Sequence, residues 1–295
     1  MTPRDQGFLL LTSTLGDPTR KPLTIPQFRT LSQRVKNMER PQEDRELQEN
    51  DLVEMGYDRR FANRIVTLLS HTEQLHWYLQ KGKQQDCYPL TRLNDSYPAL
   101  LRQRLQEDAP GSLWVKGDLS LLYEPAVALV GSRELKDDNL VFARETGRQA
   151  ALQGYVLVSG NARGADKAAQ DSCLAHGGKV ICVVADQLSK QPLQENVLYL
   201  SEEGFDLPFS AVRALQRNRI IHCLGEKVFV AQCTLERGGT WNGTIQNLRH
   251  DWSSVFCFQD GSTAANELSA RGAELVDILE LSDFSKLPAP TTCFL

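Results

Sequence analysis

The run Pro125-Ala126-Val127-Ala128-Leu129-Val130 ends abruptly in Gly131-Ser132-Arg133, and a helix-like segment follows. An apolar run of strand length with such an ending reads as a strand–turn–helix unit, and this unit restricts the fold more than any other stretch. Gly131 lets the backbone turn tightly, and Ser132 can supply a hydroxyl or cap the following helix. Arg133 adds a permanent positive charge where free backbone N–H groups already favour an anion. The same residues also fit an ordinary turn carrying a surface arginine, so the rest of the chain has to decide.

Downstream, the unit repeats. Ala143, Gly147, Ala150 and Ala151 form a helical stripe of small residues, which predicts close packing on a sheet. Tyr155-Val156-Leu157-Val158 predicts a second strand, ending in Ser159-Gly160-Asn161-Ala162-Arg163-Gly164-Ala165-Asp166. A helix rich in alanine stops at Gly177-Gly178, and Lys179 to Ala185 is a third strand, apolar on both faces as a central parallel strand requires. Further strands are predicted at Val228-Phe229-Val230-Ala231 and Val255-Phe256-Cys257-Phe258. Strands alternating with helices give an α/β fold: a doubly wound, mostly parallel sheet.

The N-terminal region has a different texture. Pro3, Pro18, Pro22, Pro26 and Pro41 punctuate short apolar pieces, and Arg34 to Asp51 reads as a solvated helix or linker. From Asp51 a helix–turn–helix pattern begins around Gly56, with Phe61, Ala62, Ile65, Leu68 and Leu69 on one helical face. The expected organisation is a small helical module over 1–85, a core over 86–281 and a short tail over 282–295. Within 86–124, turn signals alternate with one short strand at Leu113-Trp114-Val115, a segment that pads the edge of the core.

Net charge is −4, so nucleic-acid binding would need a local basic patch. No apolar run reaches membrane-spanning length, and Gly7-Phe8-Leu9-Leu10-Leu11 is too short for a secretory signal, which predicts a cytoplasmic protein without a membrane partner. The cysteines (Cys87, Cys173, Cys182, Cys223, Cys233, Cys257 and Cys293) form no CxxC pair, and several lie inside apolar runs. They read as small buried hydrophobes, not as a zinc site or disulfide frame. No Ser/His/Asp or metal-ligand spacing recurs, and His222 and His250 read as packing or surface residues.

In a doubly wound sheet the loops after the strand carboxyl ends share one crevice. Here those loops are Gly131-Ser132-Arg133, Ser159 to Asp166 and Glu236-Arg237-Gly238-Gly239-Thr240, and each joins glycine to arginine. Thr240 can cap the next helix, and Gly238-Gly239 permits close backbone approach to an anion. The GxGxxG pattern is absent, so no nicotinamide or flavin cofactor is expected. Arg217-Asn218-Arg219-Ile220-Ile221 adds a basic helical element, with the alternative that its arginines pair with Glu202, Glu203 or Asp206.

Taken in order, Val130-Gly131-Ser132-Arg133, Ser159 to Asp166, Arg217-Asn218-Arg219-Ile220-Ile221, and Asn266-Glu267-Leu268 with Gly272-Ala273 resemble the signature of the DNA-processing protein A (DprA/Smf) family. Tyr97-Pro98-Ala99-Leu100-Leu101 and Trp114-Val115-Lys116-Gly117-Asp118 resemble its lead-in, so the likeness covers about residues 88–276. It extends more weakly to the N-terminal module, which would be of the SAM or helix-hairpin-helix type. The resemblance implies an extended Rossmann-like core that binds single-stranded DNA without chemistry and helps load a RecA-type recombinase during uptake of foreign DNA. It makes Arg133 and Arg163 phosphate contacts, with the Arg217–Arg219 segment beside them and Lys190 near another basic position. The candidate nucleic-acid and phosphate-binding set is Gly131, Ser132, Arg133, Ser159, Gly160, Arg163, Gly164, Lys167, Lys190, Arg217, Asn218, Arg219, Gly238, Gly239 and Thr240. No catalytic residue, metal or cofactor is expected, and a homodimer is compatible with the family.

The chain also departs from that pattern. Gln259-Asp260-Gly261 replaces the family's Pro-Gly turn, Gly164-Ala165-Asp166 replaces Gly-Ile-Asp, and Gln170 stands near the family's histidine. Arg237-Gly238-Gly239-Thr240 replaces a Ser-Gly-Ser segment, and the stretch after residue 281 is too short for a winged helix. These changes leave open a divergent member acting in defence, as a regulatory partner of an effector enzyme. The competing class is a nucleotide-binding enzyme of the same superfamily, such as a nucleoside-monophosphate phosphoribohydrolase. Cleaving an N-glycosidic bond needs a carboxylate near the ribose. The usual glutamate after the Gly-Thr helix start falls near Gln246 or Asn247, which leaves Glu236 as the nearby acid.

Overall fold

A computed structural model describes residues 1–38 and 46–288. Among them a single nine-stranded sheet carries the architecture. Its strands are β1 (Tyr88–Thr91), β2 (Ser112–Gly117), β3 (Ala126–Val130), β4 (Val156–Ser159), β5 (Lys179–Val183), β6 (Val197–Glu202), β7 (Lys227–Val230), β8 (Ser254–Phe258) and β9 (Glu274–Val276). The spatial order is β1-β2-β6-β5-β4-β3-β7-β8-β9. Every pair from β6 across to β9 is parallel, while β1 and β2 extend the sheet as antiparallel strands. The chain starts its parallel part at β3, winds outward to β6, then returns to β7 on the other side of β3. That reversal is the topological switch point where doubly wound sheets open a crevice at the strand carboxyl ends.

The strand-to-face assignment follows from the period of two in an extended chain. Val127, Leu129, Leu157, Val180 and Phe229 point to one face, where they bury against α7 (Asp137–Leu152) and α8 (Ala165–Ala175). Ala128, Val130, Val158, Ile181 and Val228 point to the other, against α9 (Ala211–Leu224), α10 (Gly238–His250) and α11 (Thr263–Ala270). The small residues of α7 serve mainly its neighbour helix, not the sheet. A Cβ on Gly147 would run into the Ala169 backbone, so α7 and α8 lie nearly backbone to backbone.

Two of the N-terminal prolines open helices, because a proline in the first turn sacrifices no helical hydrogen bond, while Pro18 and Pro22 lie in the connection between them. Pro3 begins α1 (Pro3–Thr12), and Pro26 lies in the first turn of α2 (Ile25–Lys36). Then come α3 (Glu49–Glu54), α4 (Arg59–Ser70) and α5 (Thr72–Lys83), with Gly56 at φ +86 in the turn between the first two. The expected linker from Arg34 to Asp51 falls partly on residues 39–45, outside the described residues; of the rest, Arg34 to Lys36 closes α2 and Glu49 to Asp51 opens α3. Tyr78 of α5 stacks on Phe205 with ring centroids 4.3 Å apart and meets Trp114 edge-on at 5.1 Å. Its hydroxyl donates to Asp206 at 2.7 Å, so α5 is fastened to the sheet edge by both apolar and polar contacts.

The segment over 86–124 does more than pad the core, since Leu113, Trp114 and Val115 are buried in β2, a full member of the sheet. Pro89 sits in the edge strand β1, the position in a sheet that tolerates a missing N–H. Cys87, Cys173, Cys182, Cys223 and Cys257 are buried free thiols, as expected of small hydrophobes; Cys293 lies outside the described residues.

Candidate nucleic-acid interface

Three loops meet at the carboxyl edge of β3, β4 and β7, and their backbones are tied to one another. Ser132 N–H donates to the Gln232 carbonyl at 2.9 Å, and Ala165 N–H donates to the Ser132 carbonyl at 3.1 Å. The Thr240 hydroxyl donates to the Gly131 carbonyl at 3.0 Å. Gln232, which the sequence did not mark, also accepts from Lys136 N–H through its side-chain oxygen at 3.0 Å. Gly131 is required by close approach and not by a left-handed turn: a Cβ there would collide with the Ala165 methyl and come within 3.3 Å of that of Ala231. The three loops therefore form one rigid rim.

Two of the expected helix caps are not made. Helix α7 starts only at Asp137, so Ser132 is too far upstream to cap it, and its hydroxyl donates to Gln232 at 3.2 Å. The first turn of α7 carries Asp137 and Asp138, whose charge satisfies that helix dipole and repels an external anion. Thr240 lies inside α10 and bonds the β3 loop instead of capping.

The arginines of the set fall into two environments. Arg133 and Arg163 are exposed on the rim, and among the described residues neither has an ion-pair partner. Their loops adjoin, since a Cβ on Gly164 would strike the Arg133 carbonyl. The Arg133 guanidinium lies 5.8 Å from the centroid of the Phe209 ring, which is 53% exposed. Arg217 and Arg219 are occupied internally. Arg217 is buried beneath the β4–α8 loop, where it donates to the Val183 carbonyl and packs flat against Gly160. Any side chain at residue 160 would overlap that guanidinium. Arg219 is ion-paired to Glu202, the alternative pairing that the sequence left open.

Asp166, at the start of α8, completes the buried arrangement. Its carboxylate accepts from Gly160 N–H at 3.1 Å and Ala162 N–H at 3.2 Å, thereby filling the two loop donors an external anion would have used. Burial pushes the Asp166 carboxyl above the usual range, and Arg217 and the two N–H groups oppose that push. Burial likewise lowers the Arg217 guanidinium, with Asp166 the main opposing influence. The sequence marks Asp166 only as the end of the loop; an acid directly after Ala165, at the start of an alanine-rich helix, is the signal that could have found its buried role.

The remaining members of the set are dispersed around the rim. The Ser159 hydroxyl is buried and accepts from Gln170. Lys167 is exposed and pairs with Asp171 at 2.6 Å. Lys190 is exposed in a short helical turn, Leu188–Lys190, beyond β5. Asn218 donates to the Gly239 carbonyl at 2.9 Å, tying α9 to the start of α10, and Gly238 faces open space at φ +84. At the position where an N-glycosidase would place its acid, Gln246 is exposed and the Asn247 amide is held by Ser253 and His222. Glu236, the nearby acid, is exposed ahead of α10. Among the described residues no cluster of His, Cys, Asp and Glu could hold a metal ion, and no helix is long and apolar enough to cross a membrane.

The family model for DNA recombination-mediator protein A matches residues 89–285. DNA processing protein DprA of Streptococcus pneumoniae is 33% identical over 199 residues, which cover 62% of this chain and 69% of that protein. Protein Smf of Escherichia coli is 31% identical over 142 residues, which cover 44% of this chain and only 38% of that protein. The X-ray structure of the Streptococcus pneumoniae protein superposes with a TM-score of 0.72 at 27% identity, covering 94% of this chain and 95% of that one. DNA processing protein A from Helicobacter pylori, solved to describe its single-stranded DNA binding mode, shares the fold with a TM-score of 0.56 at 24% identity over 66% of this chain and 94% of that one.

Proposed function

The chain belongs to the DNA recombination-mediator protein A family, and from that premise we propose that it binds single-stranded DNA at the rim formed by the loops after β3, β4 and β7. The observation that carries this reading is the pair Arg133 and Arg163: exposed, on adjoining loops, at the switch point, and without an ion-pair partner among the described residues. An unneutralised guanidinium on a rigid rim is a ready partner for a phosphodiester oxygen. Phe209 beside Arg133 offers a face on which a base can stack irrespective of its identity. The single-stranded DNA binding of the Helicobacter pylori protein agrees with this choice of ligand.

The family is one of recombination mediators, not enzymes, and no catalytic step is assigned to this chain. Its name favours a RecA-type recombinase as the protein partner over a defence effector enzyme. Arg217, Asp166 and Gly160 act here as loop supports, so the phosphate contacts fall to Arg133 and Arg163, with Lys190 at the flank. Gel-shift titration with single- and double-stranded oligonucleotides at two salt concentrations tests the reading. Single strands should bind more tightly, with affinity falling steeply with salt and depending little on base sequence. Salt-insensitive binding, or binding restricted to one sequence, contradicts it.

A further inference from the structure

A groove of about 290 Å³ runs down the outer surface between α9 and α10, starting beside Gly239. Its upper end lies one residue from Thr240, which bonds the Gly131 carbonyl at the rim. Gly239 and Gly243 of α10 both line the groove. A Cβ on Gly243 would lie 3.1 Å from His222 Nε2 and 3.2 Å from Asn218 Cβ, so this glycine lets the two helices approach closely at the base of the groove. Leu215 from α9 and Ile245 from α10 add apolar contact, and Leu215 is 49% exposed.

Along the open side, Asn242, Gln246 and Arg249 follow one another at helical spacing, and all are exposed. The two amides can each donate and accept, which suits the edge of any base. Arg249 has no ion-pair partner among the described residues, and no carboxylate lines the groove. A slot with apolar surface, amide edges and one cation unpaired among the described residues matches a nucleotide better than it matches an apolar peptide helix.

We propose that this groove is a second subsite for the same strand, taking one unstacked nucleobase between Leu215 and Ile245 with its phosphate on Arg249. The proposal rests on the single-stranded DNA reading of the rim and extends the strand's path from Arg133 down the face of α10. Base contact in the groove is read by the amides of Asn242 and Gln246 without selecting one base.

The test uses the full chain and labelled oligothymidylates of two lengths, one spanning only the rim and one long enough to enter the groove. Gln246→Glu, nearly isosteric and exposed, sets a negative charge in the slot, and Arg249→Ala removes the cation. Each should weaken the long oligonucleotide about tenfold, within the range expected for one base contact, and leave the short one unchanged. Arg249→Ala should also reduce the magnitude of the log–log salt slope by about 0.7, the single-strand value for one phosphate. Abasic sites in the long strand should weaken its binding to the unaltered chain and make little difference to Gln246→Glu. If both variants bind the long strand as the unaltered chain does while Arg133→Ala weakens it, the groove is not a subsite and the rim reading stands. Equal weakening of both lengths also overturns the subsite. Failure of the unaltered chain to bind single strands removes both readings.

Discussion

Two sets of arginines stand within one crevice and do opposite work. Arg133 and Arg163 are exposed on loops and free of carboxylate partners among the described residues, whereas Arg213, Arg217 and Arg219 on α9 are turned inward. Arg213 donates to the Ala185 and Pro208 carbonyls at 2.9 and 2.8 Å, Arg217 lies under Gly160 beside Asp166, and Arg219 holds Glu202. The first set is solvent-exposed on the rim, where the proposed reading places phosphate. The second set is the rigid support. In sequence both look like basic patches; what separates them is the partner each side chain finds.

This contrast breaks most sharply at Arg217. Replacing it by alanine removes the buried donor to the Val183 carbonyl and the positive charge that opposes the burial of Asp166, and deleting a buried, hydrogen-bonded group of this size costs about 3 kcal/mol. Urea unfolding should show a stability loss of that size; a loss under 1 kcal/mol, the scale of an exposed ion pair, would place Arg217 with the outer set instead.

The inward face of α9 gives a second, pH-dependent mark. Burial holds His222 neutral and lowers its pKa to about 3, against about 6.5 in the unfolded chain. Between those values the unfolded state binds the extra proton, so the contribution is complete above pH 6.5 and is lost as pH falls toward 3. Relative to His222→Gln, the unaltered chain should lose about 1.4 kcal/mol per pH unit between pH 6 and 4. Parallel stability curves for the two proteins would contradict a buried neutral imidazole.

A smaller effect is expected at Gly160, where an alanine methyl would press on the Arg217 guanidinium and should cost about 1–3 kcal/mol. The smallest belongs to the outer set: Arg133→Ala should change stability by no more than about 0.5 kcal/mol, as for other surface substitutions. Thermal unfolding of the two variants side by side reads both, and a reversal of their order would undo the division between support and surface.

The sequence reveals the parallel core clearly because β3, β5, β7 and β8 are apolar runs ending at glycine-containing or polar turns. It conceals β6 and β9. Val197-Leu198-Tyr199-Leu200 is a short apolar run whose periodicity does not separate strand from helix, and Glu274–Val276 has only three residues. Helix α1 was hidden by Pro3 at its start, although Leu9, Leu10 and Leu11 are buried. At the interface, the positions of the three loops were legible because glycine next to arginine after a strand has few structural alternatives. The pairing of α9 arginines with Glu202 and Glu203 was among the alternatives the sequence offered, but the burial of Arg217 was not legible, since it depends on Gly160 and Asp166, which meet α9 only through the fold.

On the proposed reading, Arg133 and Arg163 are exposed phosphate contacts on a rim that folds without them. The most direct measurement compares the salt dependence of single-stranded DNA affinity for the unaltered chain and the double variant Arg133→Ala, Arg163→Ala. Removal of two contacts should reduce the magnitude of the slope by about 1.4 and weaken binding on every sequence, with the melting temperature close to that of the unaltered chain. A double variant that binds with unchanged affinity and slope would place the DNA elsewhere on the molecule.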